Sequence, residues 1–137
     1  MAHQFRTYLD DFLEAWYTCN LSELSEFICE NYQAREIAEN QIIDFGYEQS
    51  IQGWEEGFRF VKENNHQWLL EEVSITLLRH DEQLVVISAT IIVQGKPLDT
   101  ANLFFNTFKK VEKNDWKLVR SYIETGIPLE FLKFDRS

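Results

Sequence analysis

A small set of polar residues has types and spacings that could do chemistry. In segment 116–124, Arg120, Tyr122 and Glu124 recur at every second position, so in an unbroken strand they share one face with Trp116 and Leu118. A buried arginine there could grip a ligand carboxylate through two parallel hydrogen bonds, with the Tyr122 hydroxyl as a second donor; the alternative is an Arg120–Glu124 ion pair near a rim. In segment 100–111, Asn102 and Asn106 share the face of Phe104. An amide on an apolar face needs hydrogen-bond partners, and these come either from neighbouring strands or from water or ligand in a cavity. His3, His66 and His80 are scattered, and His80 beside Asp81 reads as turn chemistry rather than a catalytic dyad. The acidic pairs Asp10-Asp11, Glu55-Glu56 and Glu71-Glu72 read as solvated faces, because adjacent carboxylates do not converge on one ion.

Cys19 and Cys29 form no Cys-x-x-Cys pair and lack the neighbours of a zinc site, so they are expected to be free thiols in a reducing compartment. The chain has no Gly-x-Gly-x-x-Gly, no Walker loop and no Gly-x-Ser-x-Gly elbow. Neither a metal nor a cofactor is expected.

These groups must be positioned by the elements around them. Phe5, Leu9, Phe12, Leu13 and Trp16 follow the stripe of a helix over 4–19. A second helix opens at Asn20, with Glu23 three residues on, and would bury Leu24, Phe27 and Ile28. Segment 32–49 fits two short strands turning at Asn40, with a helix as the alternative. Trp54, Phe58 and Val61 mark a third helix over 50–65. The apolar period then changes to 2, predicting strands over 68–78, 83–94, 100–111 and 116–124, with turns at Gly95-Lys96-Pro97 and Lys113-Asn114. Helices followed by a run of strands imply an α+β domain, three helices on one face of a strongly curved antiparallel sheet. A length of 137 residues suits one domain spanning 1–137, with its core over about 5–125 and an apolar tail over 126–137.

Composition removes several function classes. A net charge of −10 argues against nucleic acid and against an anionic membrane as partners. No run approaches the 18 apolar residues of a membrane span, and the start shows no secretory pattern, so a cytoplasmic location is expected. The aromatics number 11 Phe, 5 Tyr and 4 Trp against five Gly and two Pro, which excludes disorder and leaves more aromatic surface than one helix-on-sheet layer needs.

The order of these elements resembles the nuclear transport factor 2-like superfamily over about residues 5–125. The likeness is carried by 12–32, by Gly53-Trp54, and most by Phe108-Lys109-Lys110-Val111-Glu112-Lys113-Asn114-Asp115-Trp116-Lys117-Leu118-Val119. That superfamily is a cone-shaped α+β fold shared by SnoaL-like polyketide cyclases, ketosteroid isomerase, scytalone dehydratase and the calcium/calmodulin-dependent kinase II association domain. The resemblance implies an apolar conical pocket lined by Trp54, Phe58 and Phe104, with Asn102, Asn106, Arg120 and Tyr122 as polar anchors. Isomerase chemistry would need a carboxylate base on the first hairpin, which falls near Glu36, and a tyrosine on the first helix, where this chain has Phe12; that activity is disfavoured. No strand carries the histidine of the cyclase and dehydratase dyads.

The expected function is therefore binding of a small apolar molecule. One alternative is a SnoaL-like enzyme with Glu36, Asp44 or Glu124 as base, and the other is a non-catalytic assembly domain with a filled core. A raised carboxyl in an open cavity would favour the enzyme, and an open cavity without one the binder. Both the resemblance and the two-sided apolar strand over 84–93 imply a homodimer through the outer sheet face. The tail over 127–134 would cover the pocket mouth or the dimer. Every inside–outside assignment on the last strands inverts with one residue of register slip.

Overall fold

The computed structural model describes residues 2–112 and 115–132. The expected turn at Lys113-Asn114 and the tail residues Lys133 and Phe134 lie outside the described residues. Helix α1 (Ala2–Tyr17) buries Phe5, Leu9, Phe12 and Trp16 on one face, as their spacing demands. Helix α2 (Leu21–Glu26) is capped by Asn20, whose Oδ1 accepts from the Glu23 N–H at 3.1 Å. It ends sooner than its apolar residues suggest. The Phe27 carbonyl accepts from the Leu118 N–H at 2.7 Å, so sheet hydrogen bonds replace helical ones, and strand β1 (Ile28–Ala38) begins at once.

A two-residue turn at Glu39 and Asn40, with φ of 48° and 71°, joins β1 to β2 (Gln41–Gly46). The hairpin is the expected reading of this segment, with a longer first strand. Helix α3 (Tyr47–Glu63) starts three residues before the expected Ser50, where the Gln49 side chain accepts from the Gly46 N–H at 3.0 Å. The strands β3 (Gln67–Arg79), β4 (Glu82–Val93), β6 (Thr100–Glu112) and β7 (Asp115–Pro128) match the period-2 segments, and a two-residue β5 (Lys96–Pro97) folds back on β4. Their order across the sheet is β2-β1-β7-β6-β4-β3. Neighbours are antiparallel except for β1 and β7, which run parallel. Among the described residues no helix is long and apolar enough to cross a membrane.

Cross-strand rows define the concave wall. Pairing aligns Ile43, Glu36, Ile123, Phe104 and Ile87 in one row, and Phe45, Ala34, Ser121, Asn106 and Val85 in the next. The expected common face of Asn102, Phe104, Asn106 and Phe108 is therefore the inner one.

The last strand departs from expectation. Phe108 pairs with Leu118 and Thr107 pairs with Arg120, so Val119 is an extra residue in β7, a β-bulge. Trp116 and Leu118 are buried before it; Ser121 and Ile123 are buried after it. The bulge changes the parity of the strand, and Arg120, Tyr122 and Glu124 stand on the outer face, not beside Trp116 and Leu118. A second bulge sits where Asn102 faces Thr125 and Gly126; Gly126 has φ +68°, and its N–H donates to Asn102 Oδ1 at 3.1 Å.

The aromatic residues form two groups joined at α1. Phe5, Tyr8, Phe12, Phe27, Phe108 and Trp116 pack edge-to-face at one end, with centroid distances such as 4.9 Å for Phe5–Trp116 and 5.2 Å for Phe12–Phe108. Trp16, 6.1 Å from Phe12, starts the second group with Trp54, Phe104 and Trp68. The first group is filled core, and the second surrounds a cavity.

Candidate functional site

Between α3 and the concave sheet lies a cavity of about 380 Å³. Helix α3 faces it with Gln49, Ser50, Gly53, Trp54 and Gly57, a stripe at helical spacing. A glycine inside a helix costs about 1 kcal/mol relative to alanine, and α3 carries two on this face. A Cβ on Gly53 would meet nothing within 4 Å, and one on Gly57 would meet only Trp68 Cζ2 at 3.9 Å. Neither glycine is required by packing. What they preserve is open volume. The sheet contributes Tyr32, Glu36, Ile43, Phe45, Trp68, Ala89, Asn102, Phe104 and Ile123, and α1 contributes Trp16.

Polar groups on this wall are few. Asn102 Oδ1 is held by the Gly126 bulge and Gln49 Oε1 by Gly46, which leaves their NH₂ groups as donors. Tyr32 is buried, and its hydroxyl hydrogen-bonds with Ser50 and Ser121; burial pushes its pKa up to about 12. Ser121 Oγ in turn donates to Asn106 Oδ1 at 2.6 Å. Asn106 thus stands behind the wall, fully buried with Nδ2 unpartnered among the described residues, and supports Tyr32 through Ser121. The indole nitrogens of Trp16 and Trp68 are sealed within the protein and likewise unpartnered, so these rings act as wall rather than as donors.

Among the described residues Glu36 is the single charged residue of the lining. It makes no hydrogen bond or ion pair among the described residues, and desolvation raises its pKa. Its neighbour Arg35 points to the other side of the sheet, where Asp44 engages it with contacts of 2.7 and 2.9 Å. A carboxyl whose pKa is raised by folding contributes stability only as the protonated form. That contribution is complete below the ordinary value of 4.5 and disappears as pH rises through the raised value. Glu36→Gln is therefore expected to raise the melting temperature at pH 7, with the gap to the parent closing below about pH 4.5. Thermal melts at the two pH values check this; an equal gap at both would contradict it.

The cavity brings together Trp54, Asn102, Phe104 and Glu36 from the sequence reading. It does not include the others. Phe58 is buried in the core beneath Trp54, with ring centroids 5.6 Å apart. Arg120 lies on the outer side of the sheet, paired with the buried carboxylate of Glu82 at 3.2 Å, which Arg79 also holds at 2.8 Å. Tyr122 is 40% exposed, packs on Phe105 and donates its hydroxyl to Glu124. Asp44 is exposed and held below the usual carboxylate range by Arg35. The pocket placement of Arg120 and Tyr122, and the inward placement of Asp44 and Glu124, are corrected by the Val119 bulge and by the β1–β2 register. Gln49, Ser50, Gly57 and Tyr32 were not singled out from the sequence. The signal that could have found the helix side is Gly53 and Gly57 four residues apart within an otherwise strong helical pattern.

No protein-family model matches the sequence, and no curated protein matches it. Solved structures do match the fold. A domain of unknown function with a cystatin-like fold from Nostoc punctiforme superposes with a TM-score of 0.68 at 13% identity, covering 93% of this chain and 78% of that one. A nuclear transport factor 2-like protein of unknown function from Shewanella oneidensis gives 0.67 at 15% identity, covering 90% and 98%. A protein assigned as a calcium/calmodulin-dependent protein kinase type II association domain, from Thiobacillus denitrificans, gives 0.64 at 15% identity, covering 85% and 90%.

Proposed function

We propose that this chain, which has the nuclear transport factor 2-like, cystatin-like fold, binds a small and largely apolar molecule in the cavity between α3 and the sheet. The observation that carries this reading is the open volume itself: about 380 Å³ walled by aromatic residues and bordered by two helix glycines that packing does not require. A filled cone would have supported assembly instead. Because Trp16, Trp54 and Trp68 line the cavity, tryptophan fluorescence reports occupancy directly. Titration with phenylbutanol is expected to change the emission saturably, and a strictly linear, non-saturating response would sink the reading.

A second reading, acid–base catalysis of the SnoaL-like type, is favoured by one observation. Among the described residues Glu36 has no partner, and it is a carboxyl with a raised pKa on the cavity wall, the combination that suits a general base. In that case Glu36→Gln abolishes turnover of a substrate that still binds; full turnover by the variant would exclude it.

The protein is proposed to act as a homodimer through the outer sheet face. Its support is the apolar surface left there, where Tyr122 packs on Phe105 and is 40% exposed. A monomeric mass by light scattering at micromolar concentration would remove this assignment. A cytoplasmic location is consistent with the free thiols of Cys19 and Cys29.

A further inference from the structure

The polar chemistry of the cavity narrows the class of molecule it would take. The lining has one ionisable carboxylate, Glu36, and among the described residues no Lys, Arg or His. The nearest arginine in sequence, Arg35, is turned through the sheet and occupied by Asp44. Glu36 has no partner of its own among the described residues. The same lining carries the aromatic groups of Trp54 from α3 and of Phe104, Phe45 and Tyr32 from the sheet, with Trp54 and Phe104 nearly parallel at 20° and 6.3 Å between centroids. An anionic ligand would have to lose its hydration beside a carboxylate with no cation to receive it. A neutral ligand would leave that carboxylate uncompensated within an apolar wall. A cationic ligand meets both groups at once, a counter-ion and π-faces that attract positive charge.

We infer that the cavity selects a small apolar amine or ammonium compound, with Glu36 as counter-ion and the aromatic wall as a cage for the charged head. This inference rests on the reading of the cone as a ligand site. The hydrocarbon portion lies toward Ala89 and Trp68, across the sheet from Glu36, while the Asn102 and Gln49 amides are free to serve a neutral acceptor elsewhere on the molecule.

Three probes with one hydrocarbon skeleton test it: phenylbutylamine, phenylbutanol and phenylbutyrate, titrated at pH 7 by calorimetry or tryptophan fluorescence into the parent and into Glu36→Gln. The amine is expected to bind at least tenfold tighter than the alcohol, and the carboxylate weakest. In Glu36→Gln the amine should lose its advantage over the alcohol, and saturable binding of the alcohol by the variant, at parent affinity or tighter, shows that the cavity is intact. If the alcohol binds the parent as tightly as the amine, or the carboxylate binds tightest, the charge assignment is overturned and the ligand site stands. An amine preference that survives Glu36→Gln overturns the role of Glu36. If none of the three binds, the ligand-site reading fails and this inference with it.

Discussion

Phe108→Ala is expected to lower the stability of the protein by about 3–5 kcal/mol. Domains of this kind have only about 5–15 kcal/mol in total, so the variant should lose a large part of its folded population on mild heating. Phe108 is 0% exposed and meets Phe5, Tyr8 and Phe12 edge-to-face at 5.6, 5.8 and 5.2 Å. Removing the ring leaves a void that three aromatic neighbours from α1 cannot collapse into without leaving their own rotamers. Phe108→Leu keeps most of the volume and should cost less than about 1.5 kcal/mol. Urea unfolding of the three proteins measures both differences. A loss below about 1 kcal/mol for Phe108→Ala would show that this end of the fold is not the packed core described above. The residue lies outside the cavity lining, so at temperatures where the variant stays folded its effect on binding should be small.

Gly53→Phe should have the opposite signature, with ligand binding reduced at least a hundredfold and stability unchanged or improved. Gly53 sits inside α3, its φ is not in the left-handed region, and a side chain there meets open space. Replacing a helix-interior glycine with alanine stabilises by roughly 0.5–1 kcal/mol, because the unfolded chain loses freedom and the helix gains a better former. Gly53→Ala should therefore melt higher and still bind phenylbutanol. A phenyl group at the same position adds apolar surface that fits against Trp54 and the far wall of the cavity, where it occupies the space a ligand needs. Parent-like affinity in Gly53→Phe would place the ligand somewhere other than this cavity. Loss of binding in Gly53→Ala as well would mean that the glycine serves backbone geometry rather than volume.

These two positions also separate what can be read from order in the chain from what needs the assembled sheet. The Phe5, Leu9, Phe12 and Trp16 stripe, the Asn20 cap and the change of period after Asn65 are local signals, and each appears in the fold as expected. The shared face of Asn102, Phe104, Asn106 and Phe108 in β6 was legible for the same reason, since they alternate without interruption until the bulge opposite Asn102; that this face is the inner one came from the assembled sheet. The chain has the fold shared with structures only 10–15% identical to it, since element order and period survive when individual residues do not.

Arg120 and Tyr122 could not be placed that way. Their apparent kinship with Trp116 and Leu118 holds only if β7 alternates without a break, and Val119 breaks it. A bulge is decided by the partners on either side. Here β6 pairs regularly with β7 from Trp116 to Leu118, and parallel β1 jumps from Ile28 opposite Leu118 to Gln33 opposite Arg120. That mismatch between three strands is a property of the curved sheet, invisible in any one segment.

The same holds for Glu36, which in sequence is one more acid beside an arginine. Hairpin register puts Arg35 opposite Asp44 on the outside, and the same register puts Glu36 beside Ile43 and Ile123 on the inside. Sequence alone therefore determined the elements, their caps and the amphipathic faces, because those depend on residues three, four or two apart. Only the tertiary structure decided which acid faces the cavity, that the space between α3 and the sheet stays open, and that the one charge in its wall among the described residues is negative. Those outcomes depend on strand register, and register is set by contacts between residues tens of positions apart.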